Sequence, residues 1–258
     1  MKILVLIKEV PVVNDIKIDR ETLTVDRSGA GKMSDPAGLS AVNCAVAFAK
    51  AAGAPLTAMS MGPDSCEGIL RDAAAYGAGE LVRITDDAYA GADSLVTARV
   101  LKAAIDRAGG YDIIFCGASS IDGATGQIGP KLAAMLGAGI LSHVSSASLT
   151  EEGVEAERKT GKGYETLSGK IPVVISVTTD AGRPAAPSLK GKTAAKKAVV
   201  TVLDNSILGL SEEELASRSK VVSLYPPKAE AKGAVLEAAD GAEAGVKLVD
   251  LLTEKHYI

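Results

Sequence analysis

The chain has 258 residues, long enough to bury a substantial core as one large domain or as a domain with appendages. Apolar residues make up 47%, charged residues 23%, and the formal net charge is -4, a composition with too little positive charge to suggest nucleic acid as the main partner. Aromatic residues are only 3%, with two Phe and no Trp, so Ala, Val, Leu and Ile must build the core and surfaces for base stacking are scarce.

The opening run MKILVLIKEVP is too short to span a membrane and is interrupted by Lys8 and Glu9, so a cytoplasmic protein is expected. Residues 2–10 read as a buried strand, IKIDRETLTV alternates like another, and DRSGAGKMSDP reads as a loop. A helix is predicted over AGLSAVNCAVAFAKAAG, with Asp35 as cap and Pro36 in the first turn. The rhythm continues with the strand LTAMSMG, a helix over residues 64–76 ended by Gly77, and the strand ELVRITD. A helix over 93–108, the strand YDIIFCG and a helix from about 126 to 137 follow. Apolar strands alternating with amphipathic helices predict an α/β fold, a mostly parallel sheet with helices on both faces. Such sheets bind ligands beyond the carboxyl ends of their strands, here the ends of the 2–10 strand, LTAMSMG and YDIIFCG.

After Ser142 the segment LTEEGVEAERKTGKGYETLSGKIPVVISVTT reads as two alternating strands and a buried one, expected to complete the same sheet. DAGRPAAPSLKGKTAAKK, rich in Pro, Gly and Lys, reads as an exposed docking loop near residues 180–197. Residues 225–258 read as an extended arm ending in a short amphipathic helix, an arm that lies on something else, and residues 1–224 as the main domain.

Cys44, Cys66 and Cys116 are odd in number and lack CxxC spacing, so they read as reduced core thiols. His143 and His256 are isolated, and no HExxH, acidic calcium loop, GxSxG elbow, Walker lysine motif or complete GxGxxG occurs. No catalytic acid, base, nucleophile or metal site is expected; the reactive group would arrive as a cofactor.

Two stretches are candidate ligand sites. In GASSIDGATGQIGPKLAAML, Gly117, Gly123, Gly126 and Gly129 let backbone approach a ligand, Ser119, Ser120, Thr125 and Gln127 offer hydrogen bonds, and the following helix would point its N–H groups at an anion. The same stretch also fits a plain strand-to-helix turn with packing glycines. In YAGADSLVTARVL, Asp93 or Ser94 can cap a helix whose first turn carries Ser94 and Thr97 on one face, a pattern shared with any capped helix.

Taken together, KILVLIKEVP, DPAGLSAVNCAV, SMGPDSCEGILRDAAAYGAGE, GASSIDGATGQIGPKLAAMLG, EAERKTGKGYETLSGKIPVVISVTT and GRPAAPSLKGKTAAKK resemble the beta (small) subunit of electron-transfer flavoproteins, a likeness extending into the tail SKVVSLYPPKAEAKGAVLE. The resemblance implies a Rossmann-like, adenine-nucleotide-binding domain in a heterodimer with an alpha subunit, passing electrons between flavin and partner dehydrogenases of the acyl-CoA or another flavin type. It places the nucleotide site on Leu6, on Asp35, Pro36, Ala37 and Gly38, on Met61, and on residues 117–128. Within that last stretch it marks Gly117, Ser119, Asp122, Gly123, Ala124, Thr125, Gly126, Gln127 and Ile128.

The family holds either AMP as a structural ligand or a second FAD that NADH reduces in electron bifurcation. AYAGADSLVTARVLKAAI and LDNSILGLSEEEL resemble the FAD-bearing members, which would set Ser94 and Thr97 near the flavin or its diphosphate, with ferredoxin or flavodoxin as low-potential acceptor. Asp35-Pro36 stands where the family usually has Asn-Pro, bringing a carboxylate close to the site. GRPAAPSLKGKTAAKK resembles the family's recognition loop, whose anchoring leucine falls on Leu189; from its residues alone the segment reads better as a basic solvent loop with one incidental Leu. A structural AMP subunit serving as scaffold, and a stand-alone adenine-nucleotide-binding stress-type protein, are the other readings.

Overall fold

Residues 1–12, 17–19, 24–26, 31–223, 233 and 235–258 are described in this computed structural model. Apolar runs form β1 (Ile3–Leu6), whose four side chains are all buried, and a short β2 (Glu9–Pro11). The expected strand over residues 2–10 is divided because β1 ends at the sheet edge, where the Ile7 amide donates to Met59 O at 3.0 Å and Lys8 O accepts the Asp35 amide at 2.9 Å. β3 (Lys17–Asp19) and β4 (Thr24–Asp26) pair antiparallel, as do β2 and β5 (Lys32–Ser34); the rest of IKIDRETLTV and much of the expected loop lie outside the described residues.

α1 (Pro36–Ala52) starts at Pro36 and is closed by Gly53, whose φ of 60° suits a residue without Cβ. Then come β6 (Leu56–Met61), a 3₁₀ turn, α2 (Glu67–Tyr76), β7 (Glu80–Ile84), α3 (Ser94–Arg107), β8 (Ile113–Gly117) and α4 (Ile128–Leu136). β9 (Gly139–Val144) leads into β10 (Ser146–Thr150), β11 (Gly153–Thr160) and β12 (Gly163–Gly169), followed by β13 (Val173–Val177), α5 (Leu189–Lys197) and β14 (Val200–Leu203). Two short helices, α6 (Asn205–Leu208) and α7 (Glu212–Leu215), follow.

The central sheet has seven strands in the order β14-β7-β6-β1-β8-β13-β9, and every neighbouring pair is parallel. From β1 the chain steps outward through β6 and β7, then returns to place β8 on the other flank of β1. That reversal puts the switch point of the sheet at the carboxyl ends of β1 and β8, where sheets of this kind form a crevice.

Both faces of the sheet are covered. Ile3, Val5 and Phe115 pack with α1 and α2 on one face, while Leu4, Leu6 and Cys116 pack with α3 and α4 on the other. Burial on both sides explains why these strands are continuously apolar. Phe48 of α1 meets Phe115 of β8 edge to face, with centroids 5.5 Å apart.

Two expectations are corrected. β11 and β12 do not complete the central sheet: with β10 they form a separate antiparallel sheet. Their alternation is the reason, since one face supplies Val154 and Ala156 to the core beside α1 while the other faces solvent. Only β13, buried throughout, joins the main sheet from that segment. Likewise the segment 180–197 is not all loop, because residues 189–197 form α5, packed on α2.

The chain divides into two compact units, Met1–Val222 and Ser223–Ile258; the expected boundary between residues 224 and 225 falls outside the described residues. The second unit contains α8 (Gly241–Glu254), capped by Asp240 through the Ala242 and Glu243 amides at 3.0 and 2.9 Å, with Val246, Leu248 and Val249 exposed. Among the described residues no helix is long and apolar enough to cross a membrane.

Candidate functional site

The crevice is built around the start of α1. Asp35 is 2% exposed, and its Oδ2 accepts the Ala37 and Gly38 amides at 3.0 and 3.1 Å while its Oδ1 accepts the Ile121 amide at 2.8 Å. One carboxylate therefore caps the helix and holds the loop that follows β8. Both its oxygens are thus turned onto backbone N–H groups, three in all. A Cβ on Gly117 would lie 2.9 Å from Gly38 N and 3.0 Å from the Ala37 carbonyl carbon, so β8 and α1 approach at a distance only glycine permits.

Beyond Gly117 the loop keeps one sheet bond, Ala118 N to Val177 O at 2.8 Å, and then turns with Ala124 N donating to Ser120 O at 2.8 Å. Ala124 and Gly126 both adopt positive φ, 49° and 62°. Asp122 has only 4% of its side chain exposed and pairs with Lys8 Nζ at 2.7 Å. Both carboxylates of this region are thus turned inward onto donors. Ser119, Gly123, Ala124, Thr125 and Gln127 are exposed, and a Cβ at Gly123 would meet only Ser120 Oγ at 3.6 Å. Among the described residues no side chain caps α4, whose first turn is Ile128, Gly129 and Pro130, so the positive end of its dipole is unscreened by a cap.

The third element is the start of α3. Asp93 Oδ1 accepts the Leu95 and Val96 amides, both at 2.9 Å, and Oδ2 accepts the Arg218 and Ser219 amides at 3.0 and 3.2 Å. These bonds, that from Val96 first, hold its carboxyl below the usual aspartate range. Next to it, Ser94 Oγ donates to Gln127 Oε1 at 2.6 Å, and Lys131 Nζ donates to Ser94 Oγ at 2.6 Å and to Gln127 Oε1 at 2.8 Å. Among the described residues no carboxylate pairs with Lys131 within 4.0 Å, so its ammonium brings a positive charge, held by Ser94 and Gln127, to the place where α3 and α4 begin.

The structure therefore brings together Asp35, Ala37, Gly38, Gly117, the 118–128 loop and Ser94. Pro36 is the first residue of α1, and Thr97 is half-buried one turn beyond Ser94, its amide bonded to Asp93 O. Leu6 ends β1 and is 7% exposed, and Met61 ends β6, one strand further from β8, so both sit at strand ends and not in the loop. Leu189 stands apart as the first residue of α5, 82% exposed. Sequence reasoning missed Lys8 and Lys131. Lys131 had a local signal, lying one turn after Gln127, but its contact with Ser94 joins residues 37 apart.

The donor set suits a phosphate or diphosphate: exposed hydroxyls at Ser119 and Thr125, an uncapped helix start, a lysine, and an open position at Gly123 where backbone can approach.

The electron transfer flavoprotein domain family matches residues 22–208. The chain is 36% identical over 262 residues to the electron transfer flavoprotein subunit beta of Thermoanaerobacterium thermosaccharolyticum, covering 100% of both chains. To the subunit beta of Megasphaera elsdenii it is 30% identical over 265 residues, covering 99% of this chain and 97% of that one. It is also 29% identical over 262 residues, again 100% of both chains, to subunit CarD of the caffeyl-CoA reductase-Etf complex of Acetobacterium woodii.

Proposed function

This chain belongs to the electron transfer flavoprotein family, alongside its beta subunits, and from that premise we propose that it works in a heterodimer with an alpha subunit, binds FAD in the crevice, and takes electrons from NADH. An FAD there would be held by the 118–128 loop and the start of α4, and would supply the two-electron and one-electron redox chemistry that links NADH to a higher-potential acceptor and to a lower-potential one such as ferredoxin or flavodoxin.

The observation that carries the reading is the bonding of Ser94 and Lys131 to Gln127. It extends the polar lining from the 118–127 loop to the first turn of α3. Residues of the loop and the α4 start would hold the diphosphate, and Ser94 and Thr97 would offer hydroxyls to the diphosphate or ring. The Lys131 ammonium would favour the more negatively charged form of whatever is bound. Buried Leu6 and half-buried Met61 keep their strand ends apolar. No side chain of the chain acts as acid, base or nucleophile in this scheme; its work is to position and to set the local field.

Exposed Leu189 would anchor a flavin dehydrogenase, with Lys190, Lys192, Lys196 and Lys197 as the polar rim. Relatedness to CarD, named as part of a caffeyl-CoA reductase complex, supports a partner acting on CoA esters. Residues 225–258 would lie on the alpha subunit, and the heterodimer would work in the cytoplasm.

The test is a cofactor count on the native heterodimer. Two FAD per heterodimer, one released by mutation of this crevice, is the expected result; one FAD plus one AMP would replace it with a structural nucleotide. A homo-oligomer purified with ATP and no alpha subunit would overturn the reading altogether.

A further inference from the structure

Helix α5 has little in its own sequence to keep it folded. It is nine residues long, contains Gly191 and Thr193, and sets Lys192 and Lys196 one turn apart with like charge. Of its residues only Ala195 is buried. Its carboxyl end carries no left-handed glycine, since Ala198 is extended, with φ −63° and ψ 133°.

A side chain from another helix supplies what is missing. Arg71 of α2 directs Nη1 to the carbonyls of Ala195, Lys196 and Ala198 at 2.9, 3.3 and 3.2 Å. Its Nε and Nη2 are held by Glu67 Oε1 at 2.9 and 2.7 Å. Glu67 in turn faces Arg83 through Oε2 at 3.3 Å, and Arg83 is paired with Asp64 at 3.1 Å. A guanidinium fixed on one side by a carboxylate thus caps the end of α5 with a charge of the sign the helix dipole favours. At the other end, Ser188 Oγ accepts the Gly191 amide at 3.1 Å, and a Cβ on Gly191 would fall 2.4 Å from Ala75 O, so backbone rests on backbone.

We propose that Arg71 is the positioning residue for partner docking: it keeps α5 helical and seated on α2, and so fixes where Leu189 projects. The inference rests on the reading of Leu189 as the docking anchor. Arg71 touches neither partner nor cofactor and acts through the helix it caps.

The test uses the purified heterodimer with NADH as electron donor and an acyl-CoA dehydrogenase as electron acceptor, comparing Arg71→Met, Arg71→Lys and Leu189→Ala. Arg71→Met is expected to raise the KM for the dehydrogenase about tenfold, the scale of a lost charge-assisted hydrogen bond, with kcat and flavin content unchanged. Amide exchange over residues 189–197 should accelerate in the same variant, and Arg71→Lys, which keeps the charge but not the fork, should recover part of both effects. A raised KM in Leu189→Ala with a wild-type KM in Arg71→Met overturns the inference alone. A wild-type KM in Leu189→Ala overturns the docking reading and the inference with it. Loss of flavin or of kcat in Arg71→Met would mark a general structural role and also overturn it.

Discussion

The carboxylate of Asp35 accepts the amide of Ile121 at 2.8 Å while capping α1, so the helix that follows the first strand and the loop that follows β8 share a single hydrogen-bonding group. Replacing it with alanine removes the cap, worth about 1 kcal/mol, and strands the Ile121 N–H. Asp35→Ala should lower the melting temperature and weaken nucleotide binding about tenfold, as read by calorimetric titration of the stripped protein. Asp35→Asn keeps one acceptor and should fall between. Wild-type affinity in Asp35→Ala would show that the loop keeps its shape without the clamp.

The glycines of the loop should separate by mechanism. Gly117→Ala forces a methyl against the backbone of Gly38 and Ala37, costing about 1–3 kcal/mol and opening the crevice. Gly126→Ala places a side chain at φ 62°, costing about 1–2 kcal/mol. Gly123→Ala meets only ordinary contact within the chain, at 3.6 Å, and should leave the melting temperature unchanged while lowering nucleotide content, because its methyl would stand where backbone approaches the ligand. Denaturant melts of the three variants check the order; equal effects would count against it.

Lys131→Met should weaken binding of AMP or FAD by about tenfold at low salt, and the gap from wild type should shrink as salt is raised, since screening removes what the charge provides. Titration at two ionic strengths reads both. A salt-independent loss would assign Lys131 to packing rather than to charge.

Asp93 predicts an acid limit for the start of α3. Its carboxyl is held below the ordinary value by the amides of Val96, Ser219, Leu95 and Arg218, so the folded state favours the ionised form. The stability it contributes is fully present above the unfolded pKa of about 3.9 and is lost as pH falls through the lower folded value. Amide exchange of Leu95, Val96, Arg218 and Ser219 should rise at that acid edge, and Asp93→Asn should abolish the pH dependence there.

Burial pushes the Cys116 thiol up to about 12 and the Cys44 thiol up to about 11. Neither should react with a thiol reagent at pH 8 in the folded protein, whereas both should react on unfolding in denaturant. Fast labelling of native Cys116 would contradict the packing of β8.

What the sequence displayed was local. Asp35 before Pro36, Asp93 before Ser94, and Gly53 and Gly137 after their helices all carry their reason within a few residues, so helix ends were readable, and the apolar strands between them announced a parallel sheet. The separate sheet of β10, β11 and β12 was less open to view because alternation shows which face is buried, not against which sheet. The candidate loop was visible from its glycines and hydroxyls. Its bonds to Asp35 and to Ser94, and the cation at Lys131, depend on residues far apart in the chain meeting only in the fold. At α5, glycine and lysine content suggested a loop, and contacts with Arg71 outweighed that local preference.

The latch between Ala118 N and Val177 O also orders events during synthesis. All residues of the candidate loop and its helix have left the ribosome once residue 136 emerges, yet β8 is then an open edge, because its neighbour β13 comes later. The loop reaches its final shape only when Val173–Val177 arrives to pair with β8. Any ligand that depends on the final shape of the loop would therefore find its site only in chains that have progressed through β13.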